Sequence, residues 1–246
     1  LPESLLAFSR EAKVSKTTTI CEMPFFEHFV RDTLNKVAKR VMAVTRPIKL
    51  VITNYEEGKE EDVVLEDFPQ NETTTTRTYK FGRELYIEEE DFLKVPVPKF
   101  HRLYPGNKVR LKGAYIIECT GFDEDENGNV TTIYATYDPA TKSGSDCNVK
   151  VKGTIHWLNQ KYAKQVEVRL FENLTLSSRR DENGDYEFNP NSLTVLENAY
   201  VEDGVNYNME ERYQFIRNAY FCLDSDSTAE KLVFNRTVTL KDSKHK

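Results

Sequence analysis

Two basic side chains two residues apart, Arg110 and Lys112 in "VRLK", can grip one polyanion from one face of a strand, because alternate strand residues share a face. They lie in an unusual stretch. Residues 92–117 contain no acid and carry Lys94, Lys99, Arg102, Lys108, Arg110 and Lys112, whereas residues 56–67, "EEGKEEDVVLED", hold seven acids. The net charge of −6 argues against a polyanionic partner in bulk. A polyanion, however, senses local charge within a screening length of roughly 8–10 Å. An acid-free segment between acidic ones would define where an anion docks and repel it elsewhere. The same residues serve equally well as a solvated strand-and-loop face, and charge by itself weighs the two evenly.

Other constellations carry less chemistry. Lys13-Val14-Ser15-Lys16-Thr17 reads close to KMSKS, an ATP-handling loop. "DEDENGNVTTIY", residues 123–134, begins like a calcium loop, but its twelfth position is Tyr134 where a bidentate glutamate is needed, so a hairpin turn is expected. His28, His101, His156 and His245 show no zinc-hydrolase spacing. His156-Trp157 sits in a strand pattern, where an aromatic pair is read as core packing. Cys21, Cys119, Cys147 and Cys222 form no C-x-x-C pair, and scattered thiols fit a reducing, cytoplasmic compartment. The four N-x-[ST] sequons, beginning at Asn71, Asn129, Asn173 and Asn235, are read as ordinary loop and strand residues rather than glycan sites. With no phosphate-binding glycine loop and no G-x-S-x-G, no active site is expected within the chain.

The elements that must position these residues change character near Pro47. "PESLLAFSREA" suits a short helix opened by Pro2. In "PFFEHFVRDTLNKVAKRVMAV", Phe26, Phe29, Val30, Val37 and Val41 form an apolar stripe, so a second helix is expected through this string. Beyond Pro47, strand patterns follow one another, from "IKLVITNY" to "KLVFNRTVTLKD", with turns at Asn127-Gly128 and Asn183-Gly184. Many short strands with little helix between them indicate barrels or sandwiches. The 246 residues allow one large domain or two small ones. The expectation is a mainly β fold of two barrels, one inserted in the other at 94–188, with the outer barrel from 47–93 and 189–246, and a helical piece at 1–46. No apolar run is long enough for a membrane span, and no secretory pattern opens the chain. The start at Leu1, without Met, is what a fragment of a longer protein would show.

Several strings together resemble one family. "VKGTIHWL" (151–158), "VEVRLFENL" (166–174), "YQFIRNAYFCLDSDST" (213–228) and "FNRTVTLKDS" (234–243) resemble the C-terminal anticodon-binding region of the glutaminyl-tRNA synthetases, of eukaryotic type. "RDTLNKVAKRVMAVTRPIKLVITNY" (31–55) and "YPGNKVRLKGAYII" (104–117) do so too, in the family's order and over nearly the whole chain. The resemblance implies a proximal and a distal barrel behind the end of a helical subdomain. It also implies an absent catalytic half that uses ATP with Mg, and no cofactor in this chain. The KMSKS-like string then becomes a solvated helix end.

What the resemblance implies for the site can be stated residue by residue. Arg110 and Lys112 face the first anticodon base of tRNA-Gln. Arg40, Gln214 and Arg217 hold the middle base, a uracil, and His101 and Arg102 the third, a guanine, whose N7 and O6 accept two donors. Asn35 and Lys99 contact the loop further out. His101 stands where the best-known bacterial pattern has a lysine, and Ile216 where it has an acid. Two other readings stand beside this one: the anticodon-binding region of a eukaryotic or archaeal glutamyl-tRNA synthetase, and a free-standing RNA-binding barrel of ribosomal type.

Overall fold

The computed structural model describes residues 1–13, 21–177 and 180–241. The KMSKS-like string lies outside them from Val14 onward, as does His245. Helices α1 (Pro2–Ala12) and α2 (Met23–Val37) pack through Phe8, which meets Phe25, Phe26 and Phe29 edge-on. Helix α2 ends earlier than its apolar stripe predicts. Val41, Met42, Ala43 and Val44 are all buried. A one-sided surface helix cannot bury four consecutive residues, and this segment instead runs as two short strands.

Sixteen strands follow among the described residues. They are β1 (Lys39–Val41), β2 (Ala43–Val44), β3 (Pro47–Ile52), β4 (Glu61–Glu66), β5 (Thr76–Phe81) and β6 (Glu84–Glu88). Next come β7 (Lys108–Leu111), β8 (Ile116–Glu124), β9 (Val130–Asp138), β10 (Thr154–Ile155) and β11 (Leu158–Asn159). The last are β12 (Lys164–Phe171), β13 (Leu193–Val201), β14 (Tyr213–Phe215), β15 (Ala219–Leu223) and β16 (Leu232–Thr239).

Two barrel-like seven-stranded sheets result, ordered β1-β14-β15-β16-β12-β13-β2 and β10-β7-β8-β9-β3-β6-β11. In each, the two edge strands are chain neighbours: only Met42 separates β1 from β2, and only His156-Trp157 separates β10 from β11. Links this short draw the edges of each sheet toward one another, and of the two sheets one is nearly closed and the other a half-barrel, which limits the unpaired edge groups left open.

One sheet interrupts the other, as expected, but the strands divide differently from the split at 94–188. Strands β3 and β6, predicted in the outer barrel, pair with β9 and with each other inside the inner sheet. Strand β12, predicted in the inner barrel, pairs with β13 and β16 in the outer one. The predicted helical piece 1–46 likewise gives up β1 and β2 to the outer sheet. The prolines at 96 and 98 mark a loop within the inner barrel, not its boundary.

The hairpin β4–β5 forms a separate ribbon that joins the two sheets. Val63, Leu65, Tyr79 and Phe81 face the inner-barrel core. Gly113 lies against this ribbon with φ +70°, and a Cβ there would stand 2.9 Å from Val63 Cγ1. Glycine meets both demands. On the other side, Arg77 donates to Asp67, to the buried Glu202 and to the carbonyl of Arg40. Among the described residues, no helix is long and apolar enough to cross a membrane.

Candidate nucleic-acid interface

Strands β1 and β14 run parallel with Arg40 opposite Gln214, which places the two side chains side by side. They line a cleft of about 510 Å³ together with Lys112, Arg217, Ile216, Leu65, Pro69 and Leu240. The cleft joins both barrels and the ribbon. Four of the nine sequence-predicted residues meet here.

Arg40 is the most constrained of them. Its side chain is buried, and it donates to the carbonyls of Ala38 (3.0 Å) and Asn35 (3.2 Å) and to Asn35 Oδ1 (2.7 Å). These partners are all neutral, and among the described residues no carboxylate is in ion-pair contact with it. Burial accordingly pulls the guanidinium below its ordinary value. Beside it, Gln214 Oε1 is buried with no hydrogen-bond partner. An uncompensated cation next to an unused amide oxygen suits a ligand with both acceptors and a donor. Asn35, predicted as a direct contact, is the support on which Arg40 rests, and Tyr220 Oη lies 3.4 Å from its Oδ1.

Arg217 sits at the turn between β14 and β15 with φ +66°, and Lys99 has φ +68°. They are two of the three described non-glycine residues in the left-handed region, a conformation that surrounding structure must enforce. Arg217 donates through both terminal nitrogens to Asp91, at 2.7 and 2.6 Å. Burial works against its charge, but Asp91, with Glu88 and Glu90 behind it, outweighs burial and raises the guanidinium. Arg102 reaches the same carboxylate through Nε at 3.3 Å and donates to the carbonyl of Glu90.

Lys99 and His101 line a second groove, of about 790 Å³, with Phe100, Tyr104, Lys108, Lys150 and Lys152. No acid lines it. Gly153 ties its two walls together, since a Cβ there would fall 1.8 Å from the carbonyl oxygen of His101. Arg110 stands apart from both hollows. It extends from β7 and donates to the carbonyl of Thr141 at 2.8 Å. Lys108, Arg110 and Lys112 do alternate with the buried Val109 and Leu111, so the expected shared face is present. Lys112 is nonetheless the one that reaches the cleft.

Residue reasoning missed Lys150, Lys152 and Asp91, and the polar role of His156-Trp157. Lys150 and Lys152 alternate in "VKVK" just as Arg110 and Lys112 do, so the signal was present in the spacing. His156-Trp157 is buried as predicted, but it does more than fill space. Trp157 Nε1 donates to the carbonyl of Lys112 at 3.0 Å, and His156 Nδ1 lies 3.4 Å from Arg217. Asp91 carries no local pattern at all. The calcium-like string is the expected hairpin turn: Asp125 Oδ1 accepts from the backbone amides of Asn127 and Asn129.

Residues 38–138 match a family model described as the anti-codon binding domain of class I tRNA synthetases (E and Q), and residues 154–224 match a second of the same description. Together they cover more than half of the chain. The chain belongs to this family of anticodon-binding domains. The first match holds Arg40 and Lys112 and the second Gln214 and Arg217, so the cleft needs both. The chain is similar to the glutamine–tRNA ligases of Clostridium perfringens (43% identical over 98% of this chain and 45% of the relative) and Clostridium kluyveri (44%, with the same coverage). That of Bradyrhizobium diazoefficiens is 42% identical over 98% of this chain and 44% of the relative. All three are bacterial, whereas the resemblance in the sequence pointed to the eukaryotic type. This anticodon-binding domain spans under half the length of these relatives.

Proposed function

We propose that this domain holds the anticodon loop of tRNA-Gln and reads it for a protein that ligates glutamine to that tRNA. ATP and its Mg are handled, in this reading, outside these 246 residues. The observation that carries it is the cleft, where a buried arginine without a carboxylate partner lies beside an amide with an unused oxygen. A splayed single-stranded base presents its edges to such a pocket. Uracil offers two acceptor oxygens, which suit the donors of Arg40 and Arg217, and one N–H, which suits Gln214 Oε1. Lys112 at the rim meets the neighbouring base or a phosphate, and His101 and Arg102 meet the third base. The similarity to glutamine–tRNA ligases supports glutamine over glutamate.

Titration of the chain with an anticodon stem-loop of tRNA-Gln tests the reading. Replacing the middle uracil is expected to weaken binding by about tenfold, in line with one good base contact. Affinity is expected to fall steeply with salt, because phosphate contacts release counterions. Equal affinity for both loops refutes base reading, and tighter binding of a tRNA-Glu loop refutes the glutamine assignment.

A further inference from the structure

The buried carboxylate of Asp91 joins two arginines that come from different barrels. Asp91 ends the short 3₁₀ turn Glu89–Asp91 after β6 and is 1% exposed. Its two oxygens accept the fork of Arg217 from the β14–β15 turn of the outer barrel. Oδ1 also takes Arg102 Nε, from the loop before β7 of the inner barrel. The backbone amide of Leu103, next to Arg102, donates to the carbonyl of Asp91 at 2.9 Å. Residue 91 therefore fixes both the side chain and the main chain around Arg102.

The two arginines are more open than the acid between them. The side chains of Arg217 and Arg102 are 28% and 39% exposed. An arginine has five N–H donors, and Asp91 takes two from Arg217, so donors remain for a ligand. Both cations approach the same oxygen, Asp91 Oδ1, and two such neighbours would repel each other without the acid. With it, neither guanidinium can turn without disturbing the bonds of the other. Such sharing of one partner couples two sites energetically.

Resting on the reading proposed above, we infer that Asp91 is a positioning residue that couples recognition of the middle and third anticodon bases by holding Arg217 and Arg102 on one carboxylate. It touches no RNA. Its effect is that an error at either base is felt at both arginines.

The experiment is a titration with four stem-loops: matched, substituted at the middle base, substituted at the third base, and substituted at both. In the unaltered chain, the double penalty is expected to differ from the product of the single penalties by about threefold or more. In Asp91→Asn, an acceptor that held a cation becomes a donor facing two of them. Discrimination at both bases is expected to fall together by about tenfold, and the penalties to become independent. Asp91→Glu is expected to restore part of it, which a purely structural defect would not show. A folded Asp91→Asn that keeps discrimination at both bases, or loses it at one alone, overturns the inference. If Asp91→Asn fails to fold, Arg102→Ala answers the question, since coupling requires it to alter discrimination at the middle base, which Arg217 serves. An unchanged middle-base ratio in Arg102→Ala refutes the inference. Failure of the unaltered chain to discriminate any loop refutes the underlying reading instead.

Discussion

Arg40 is a buried cation whose side-chain hydrogen bonds all go to neutral groups. Arginine suits the position because its planar fork can hold Asn35 and Ala38 with some N–H groups and still offer others to a base. Arg40→Lys keeps the charge and removes the fork. Middle-base discrimination is expected to drop by about 1–3 kcal/mol, read as the ratio of dissociation constants for matched and substituted loops. An equal loss on every loop would show instead that Arg40 holds only a phosphate. The identity of this residue was legible in the string around it, but its element was not. The apolar stripe from Phe26 to Val41 carries the helix pattern four residues past Val37, into a segment that tertiary burial turns into strand. Arg110 shows the converse: its strand face was legible, yet the bond to Thr141 that draws it away from the cleft depends on a chain reversal far along the sequence.

The ribbon β4–β5 is the element least visible in sequence. The acids of "EEGKEEDVVLED" mask the alternation of Val63 and Leu65, so a buried strand reads as a solvated charge run. Its first residue, Glu61, pins the ribbon to the inner barrel, accepting from Tyr115 and from Lys142 and pairing with Lys59 at 3.0 Å. Burial works against the ionised carboxyl, but these donors outweigh it and push it down to about 2. An unfolded glutamate ionises near about 4.3. Because the folded value is the lower one, the contribution of Glu61 is complete above the unfolded value and drains away as pH falls toward the folded one. Glu61→Gln is expected to lower stability at neutral pH and to flatten its decline between about pH 4.5 and about pH 2. Urea midpoints measured across this window check it, and an unchanged slope would mean that Glu61 is already screened by solvent. The strand pattern around His156-Trp157 was legible, but the structure breaks it into the two-residue strands β10 and β11, and a break of that size leaves no period to read.

At the scale of the whole molecule, the cleft exists only while the two barrels keep their relative placement. The nested arrangement was legible because strand patterns run from Pro47 to the end of the chain, more than one small barrel needs. Those patterns do not give the pairing of β3 with β9 or of β12 with β16, which are contacts between distant segments. Arg77 supplies the physical link. From the ribbon its Nε and one terminal nitrogen fork onto Glu202, just past β13 of the outer barrel, while the other terminal nitrogen donates to Asp67 and the carbonyl of Arg40 accepts as well. Glu202 is fully buried and also accepts from the backbone amide of Met42. Removing the guanidinium would leave that carboxylate buried without its cation, a change that costs about 3–5 kcal/mol in comparable settings. Arg77→Leu is therefore expected to destabilise the chain by roughly that amount. Because the lost contact lies between the barrels, the variant is also expected to unfold in two steps where the unaltered chain unfolds in one, seen as non-coincident near- and far-ultraviolet dichroism curves. Base discrimination should fall with it under conditions where both barrels remain folded, since Arg40 and Gln214 would keep their places in one barrel while Lys112 drifts with the other. A variant that loses stability in one cooperative step and still discriminates loops would show that the ribbon's apolar face, through Val63 and Leu65, is sufficient to hold the barrels together.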